Sequence, residues 1–123
     1  MGSLLVEICV DCREPATLAR WWAEVLGWTV VDDPRGITWI SPTGGFDQLP
    51  LITFLPVPEP KTVKNRLHID VSPTGVDQAE ELERLLALGA THVDVGQGPD
   101  SGFVVLADPE GNEFCLLGRR VDR

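Results

Sequence analysis

A carboxylate at the mouth of an apolar strand has to be wetted or neutralised. In the stretch LADPEGNEFCLL, residues 106–117, the segment Asp108 to Asn112 reads as a turn and Phe114 to Leu117 as an apolar strand, with Glu113 between them. Burying an unpaired carboxylate is costly. Glu113 is therefore expected to face water, a basic partner or a metal. A second group with possible chemistry is CVDC, Cys9 to Cys12. Structural zinc sites commonly need a second cysteine pair, which Cys115 alone does not supply. A thioredoxin-type CxxC opens a helix, whereas this one ends a strand. Cys9 and Cys115 are read as small residues lining a pocket or packed inside. No Ser-His-Asp triad, P-loop or GxGxxG is present.

The elements that must position these side chains come twice. VEICV at 6–10 resembles LHIDV at 67–71, EVLGWTVV at 24–31 resembles LALGATHV at 86–93, and SPTGG at 41–45 resembles DPEGN at 108–112. The spacing between copies grows slowly, as small insertions in a duplicated unit of roughly sixty residues would make it grow. Pro56, Pro58 and Pro60 read as the stiff linker. Strands are expected at 4–11 and 66–71. Helices follow, one from Glu14-Pro15 to Gly27 with Leu18, Trp21, Trp22, Val25 and Leu26 at helical spacing, the other at 77–88 with Ala79, Leu82, Leu85 and Leu86. Three strands then close each copy, at 28–32, 36–41 and 49–55, and at 91–95, 102–107 and 113–117. Short polar turns between them predict antiparallel meanders. The fold class is thus α+β, with modules 1–58 and 61–123 making one domain over 1–123.

Alternation along the strands sorts the side chains. Val6, Ile8 and Val10 oppose Glu7, Cys9 and Asp11; Leu67, Ile69 and Val71 oppose Arg66, His68 and Asp70; Phe114 and Leu116 oppose Glu113, Cys115 and Leu117. The aliphatic faces are expected against the helices. Glu7, His68 and Glu113 are left on the other faces, which can curl around a cleft, and Glu7 and His68 occupy equivalent positions in the repeat. Trp39 is either helix-facing core or a pocket wall, and Phe46 in the loop GGFDQLP either lids the cleft or lies on an ordinary surface loop. Trp22 or Trp21 is core with the other ring outward, Trp28 packs under the helix end, and His92 reaches solvent. The acidic side chains Asp77, Glu80, Glu81 and Glu83 read as a solvated helix face.

A formal net charge of −9 in 123 residues opposes phosphate backbones and anionic lipid, so neither nucleic acid nor a membrane is an expected partner. No run of about 18 apolar residues marks a membrane span. Three cysteines and no basic leader before the first carboxylates point to a reduced, cytoplasmic setting.

The duplicated βαβββ unit, the LG after each helix, RLHIDV and VLADPEGNEFCLL resemble the vicinal oxygen chelate superfamily, which includes glyoxalase I, extradiol dioxygenases, fosfomycin-modifying enzymes and bleomycin resistance proteins. The resemblance covers nearly the whole chain, DPEGNEF being its most specific element, and is nearest to the small glyoxalase-like proteins. It implies paired βαβββ modules forming a cup-shaped, mostly antiparallel sheet, with metal ligands from the first and last strand of each module. Here those positions are Glu7, His68 and Glu113, and Leu51 at the fourth, where leucine cannot ligate; Gln48 would substitute only with a shifted register. Glu7, His68 and Glu113 suit a divalent ion, Zn, Mn, Fe, Mg or Ni, that takes substrate oxygens as a Lewis acid. The resemblance implies a metal-dependent lyase, isomerase or dioxygenase-like enzyme on a small oxygenated molecule, with Glu113 or Glu7 able to act as general base. The alternative is a metal-free protein that sequesters a small molecule or antibiotic, with Trp39, Phe46, Cys9 and Cys115 lining its pocket. In the bland alternative the carboxylates pair with Arg66 or sit in a wet cleft with His68 as a hydrogen-bonded neighbour; a third reading is a structural or regulatory subunit whose cleft is vestigial. A homodimer is the expected assembly.

Overall fold

A computed structural model describes residues 1–98 and 100–122. The chain divides into two compact units, Met1–Pro60 and Lys61–Arg123. The first runs β1 (Glu7–Cys12), α1 (Pro15–Leu26), β2 (Thr29–Asp33), β3 (Ile37–Ser41) and β4 (Leu51–Pro56). The second repeats the order as β5 (Ile69–Val71), α2 (Gln78–Ala87), β6 (Thr91–His92), β7 (Val104–Ala107) and β8 (Glu113–Leu116). Each unit is an open four-stranded sheet with one helix, of order β1-β4-β3-β2 and β5-β8-β7-β6. The three strands after each helix form the expected antiparallel meander, and the first strand joins the last in parallel.

Local chemistry fixes the helix ends. Pro15 opens α1, where its missing N–H costs nothing, and Gly27 closes it in the left-handed region at φ 70°. Asp77 caps α2 by accepting from the Glu80 backbone N–H at 3.0 Å. Leu18, Ala19, Trp22, Ala23 and Val25 form the buried stripe of α1, and the Trp21 ring meets Trp22 edge-on at 5.2 Å. In the first sheet Ile40, Ile52 and Phe54 are buried on the face that α1 covers; in the second, Leu106, Phe114 and Leu116 occupy the equivalent face.

The aliphatic face of the opening strands departs from expectation. Val6 and Ile8 are exposed, as is Leu67, and the first strand begins at Glu7 instead of residue 4. β1 and β5 are edge strands, so the helix, which lies mainly over β3 and β4 in the first unit, leaves the outer strand half covered. Residues 4 and 5 lie ahead of the ladder, whose first bond runs from the Leu51 N–H to the Val6 carbonyl at 2.9 Å.

Candidate functional site

Register places the same four positions in both units on the sheet face turned away from the helix. In the first, Glu7 pairs with Leu51 and Cys9 with Thr53. In the second, Asp70 pairs with Cys115, and two residues earlier stand His68, just ahead of β5, and Glu113, the first residue of β8. The duplication therefore aligns Glu7 with His68, Cys9 with Asp70, Leu51 with Glu113 and Thr53 with Cys115.

In the second unit these side chains line a pocket of about 260 Å³. Its lining combines the apolar Val95, Phe103, Val105, Phe114 and Leu117 with Lys64, His68, Asp70, Glu113 and Cys115. His68 Nε2 lies 3.2 Å from an Asp70 carboxylate oxygen. The Cys115 thiol is pushed up, first by burial and then by the charge and hydrogen bond of Asp70, against a smaller opposing pull from Lys64. It is a protonated thiol at neutral pH in the metal-free protein.

Glu113 faces a basic partner, and that partner is Lys61. Lys61 Nζ stands 3.0 and 3.1 Å from the two carboxylate oxygens, and the Asn65 backbone N–H donates to Glu113 at 3.2 Å. The Asn65 side chain also donates to the Glu113 carbonyl at 3.3 Å. Burial alone would raise the Glu113 pKa. The hydrogen bonds from its own backbone, Lys61 and Asn65, with the Lys61 charge, outweigh this and hold it below the ordinary glutamate value. Arg66, the cation weighed from sequence, is not the partner. Lys61 escaped notice because it lies in a loop 52 residues away, where strand alternation gives no information.

In the first unit Glu7 accepts from the Cys9 thiol at 3.2 Å. Burial, followed by the Glu7 hydrogen bond and charge and the Asp11 charge, raises the Cys9 pKa. Trp39 sits level with Thr53 and so shares the open face with Cys9, opposite Ile40. Phe46 stacks on it, centroids 5.0 Å apart and planes 22° from parallel. Cys12 is buried and its thiol reaches the Leu55 carbonyl at 3.7 Å, a structural role. His92 is exposed, as expected.

Of the four first- and last-strand positions, Glu7, His68 and Glu113 carry ligating atoms and the fourth does not. Leu51, paired with Glu7 and 2% exposed, has no donor atom. Gln48 lies in the loop before β4 and the register is unshifted. Both Glu113 oxygens already serve Lys61, and a cation there competes directly with a metal.

The Glyoxalase-like domain family model matches residues 7–117, and the chain belongs to that family, within the vicinal oxygen chelate superfamily. Among solved structures it is similar to the fosfomycin resistance protein FosX from Mesorhizobium loti, at 15% identity and TM-score 0.70 over 97% of this chain and 94% of that one. FosX from Listeria monocytogenes, in complex with Mn(II) and 1S,2S-dihydroxypropylphosphonic acid, matches at 12% identity and TM-score 0.67, covering 96% and 90%. The trypanothione-dependent glyoxalase I of Leishmania major matches at 11% and 0.63, covering 95% and 87%. At such identities these likenesses establish the fold. No curated protein matches the sequence. Among the described residues no helix is long and apolar enough to cross a membrane.

Proposed function

We propose that the chain binds a small molecule on the open face of its second sheet, with the apolar part of the ligand against Phe103, Val105 and Leu117 and the polar part toward Lys64, His68 and Asp70. The supporting observation is the pocket itself, about 260 Å³, lined by both apolar and charged side chains. A concave apolar site with a few directed polar groups is what small-ligand recognition requires. This is the sequestering or binding reading, and it asks nothing of Leu51.

The experiment is a thermal-shift screen of small oxygenated and antibiotic-like compounds, with and without chelator, on the wild type and Leu117→Trp. A compound at a hundred times its Kd should stabilise the protein by about 2.7 kcal/mol. The tryptophan should fill the pocket and abolish the shift. Stabilisation that persists in Leu117→Trp would refute this pocket.

The second reading is a metal-dependent lyase or isomerase in which Glu7, His68 and Glu113 hold a divalent ion. His68 and Glu113 lining one pocket favour it; Leu51 and the Lys61 ion pair oppose it. Loss of ligand binding on chelation, with metal binding that depends on Glu7 and Glu113, would support it. For the partner we infer a second copy of this chain, because Leu4, Leu5, Val6 and Ile8, interrupted only by Glu7, are exposed apolar side chains on and before an edge strand. Ile8→Glu should lower the mass seen by light scattering from two chains to one at micromolar concentration. A wild type that is already single-chain there would refute the dimer.

A further inference from the structure

We propose that the second unit carries a transition-metal site made of His68, Asp70 and Cys115, a donor set different from the first- and last-strand set. Among the described residues this is the one group of three or more His, Cys, Asp or Glu side chains whose donor atoms converge, all lying within 4.8 Å of one another.

The backbone explains the convergence. His68, directly ahead of β5, and Asp70 within it are two residues apart along extended chain and so project to the same side. Asp70 pairs with Cys115 across the parallel ladder, which brings the thiol beside the carboxylate. The imidazole nitrogen and the carboxylate oxygen are already 3.2 Å apart. Tetrahedral coordination with metal–ligand bonds of about 2.0–2.3 Å needs donors roughly 3.3–3.8 Å apart. Side-chain rotation can close the gap without backbone change, since His68 and Asp70 are both about half exposed.

The chemistry of the donors selects the ion. One imidazole, one carboxylate and one thiolate favour a borderline-soft ion such as Zn²⁺ or Co²⁺ over Mg²⁺ or Ca²⁺, which prefer all-oxygen shells. Binding replaces the thiol proton, so one proton leaves Cys115 for solvent as the metal–sulfur bond forms. Three protein donors leave a position for water or a ligand oxygen. Glu113 is left with Lys61, which removes the competition that weakens the other set.

The first unit supplies an internal contrast. The positions equivalent to His68, Asp70 and Cys115 are Glu7, Cys9 and Thr53. That triplet lacks the imidazole and has a hydroxyl where the second unit has its thiol. The site belongs to one copy of the duplication only.

The site shares His68 and Asp70 with the small-molecule reading, but it is tested without any ligand, so either can fail without the other. Protein stripped with chelator is titrated with Co²⁺ and read by absorbance. One Co²⁺ per chain should bind, with a thiolate-to-cobalt charge-transfer band in the near ultraviolet. Cys115→Ser should abolish that band and His68→Ala should abolish binding, while Glu113→Gln and Glu7→Gln keep both. Circular dichroism of each variant checks the fold, and Cys9→Ser controls for the exposed thiol. A band that survives in Cys115→Ser, binding that depends on Glu113 instead of Cys115, or no binding by the wild type would each overturn the proposal.

Discussion

Asp108→Ala should destabilise the fold by about 3 kcal/mol, seen as a lower urea midpoint at unchanged m-value. Asp108 is 4% exposed although it is an acid in a surface turn. Its carboxylate accepts the backbone N–H of Glu110 at 2.9 Å and of Asn112 at 3.0 Å, and the Asn112 side-chain amide at 3.0 and 3.2 Å. Its backbone closes the same turn, donating to the Asn112 carbonyl and accepting from Gly111 N–H, both at 2.9 Å. Alanine leaves several donors without their acceptor at once, each costing about 1–3 kcal/mol when water cannot replace it. Asp108→Asn keeps one acceptor oxygen and should recover roughly half of the loss. The consequence reaches the site, because the turn delivers β8 and with it Glu113 and Cys115. Cobalt binding should weaken in Asp108→Ala even where the protein remains folded. A urea midpoint equal to wild type would show that the carboxylate is not the organiser of the turn.

That turn also shows why the architecture was readable from the chain. Duplication gave two independent readings of one element order, and the apolar period changed sharply at Gly27 and Gly89, where each helix gives way to its meander. Side-chain alternation put His68 and Asp70 on one face and Glu113 and Cys115 on another, and ladder pairing joins those faces into one. Asp70 shares that face with His68, but repeat equivalence does not mark it as a ligand, because it aligns with Cys9 in the first unit. Two features were not readable. The exposure of Val6 and Ile8 depends on β1 being an edge strand, and strand order is a non-local property. The neutralisation of Glu113 depends on where the segment ahead of β5 lies, and nothing periodic governs a loop.

Lys61→Met should cost about 1–3 kcal/mol at pH 7 and progressively less as the pH falls. The pair is mostly shielded, with Lys61 and Glu113 side chains 20% and 10% exposed, so solvent screening does not reduce it to the level of a surface contact. In the wild type the folded-state pKa of Glu113 lies below its ordinary value of 4.5. The unfolded chain therefore takes up this proton first on acidification. The stabilisation is fully present above the ordinary value and disappears as pH drops through the lowered one. Without Lys61, burial is opposed only by the remaining hydrogen bonds. The folded variant then holds its proton more readily, and the gap from wild type closes as the pH falls through the lowered wild-type value. Glu113→Gln in the Lys61→Met background should recover part of the loss at neutral pH, because no uncompensated charge remains. Divalent ions distinguish the readings of this carboxylate. If Zn²⁺ or Mn²⁺ restored Lys61→Met but not the double variant, Glu113 would be a latent ligand held in reserve by its lysine. If the ions restored both equally through Cys115, the carboxylate would serve the fold and the metal would belong to the neighbouring thiol.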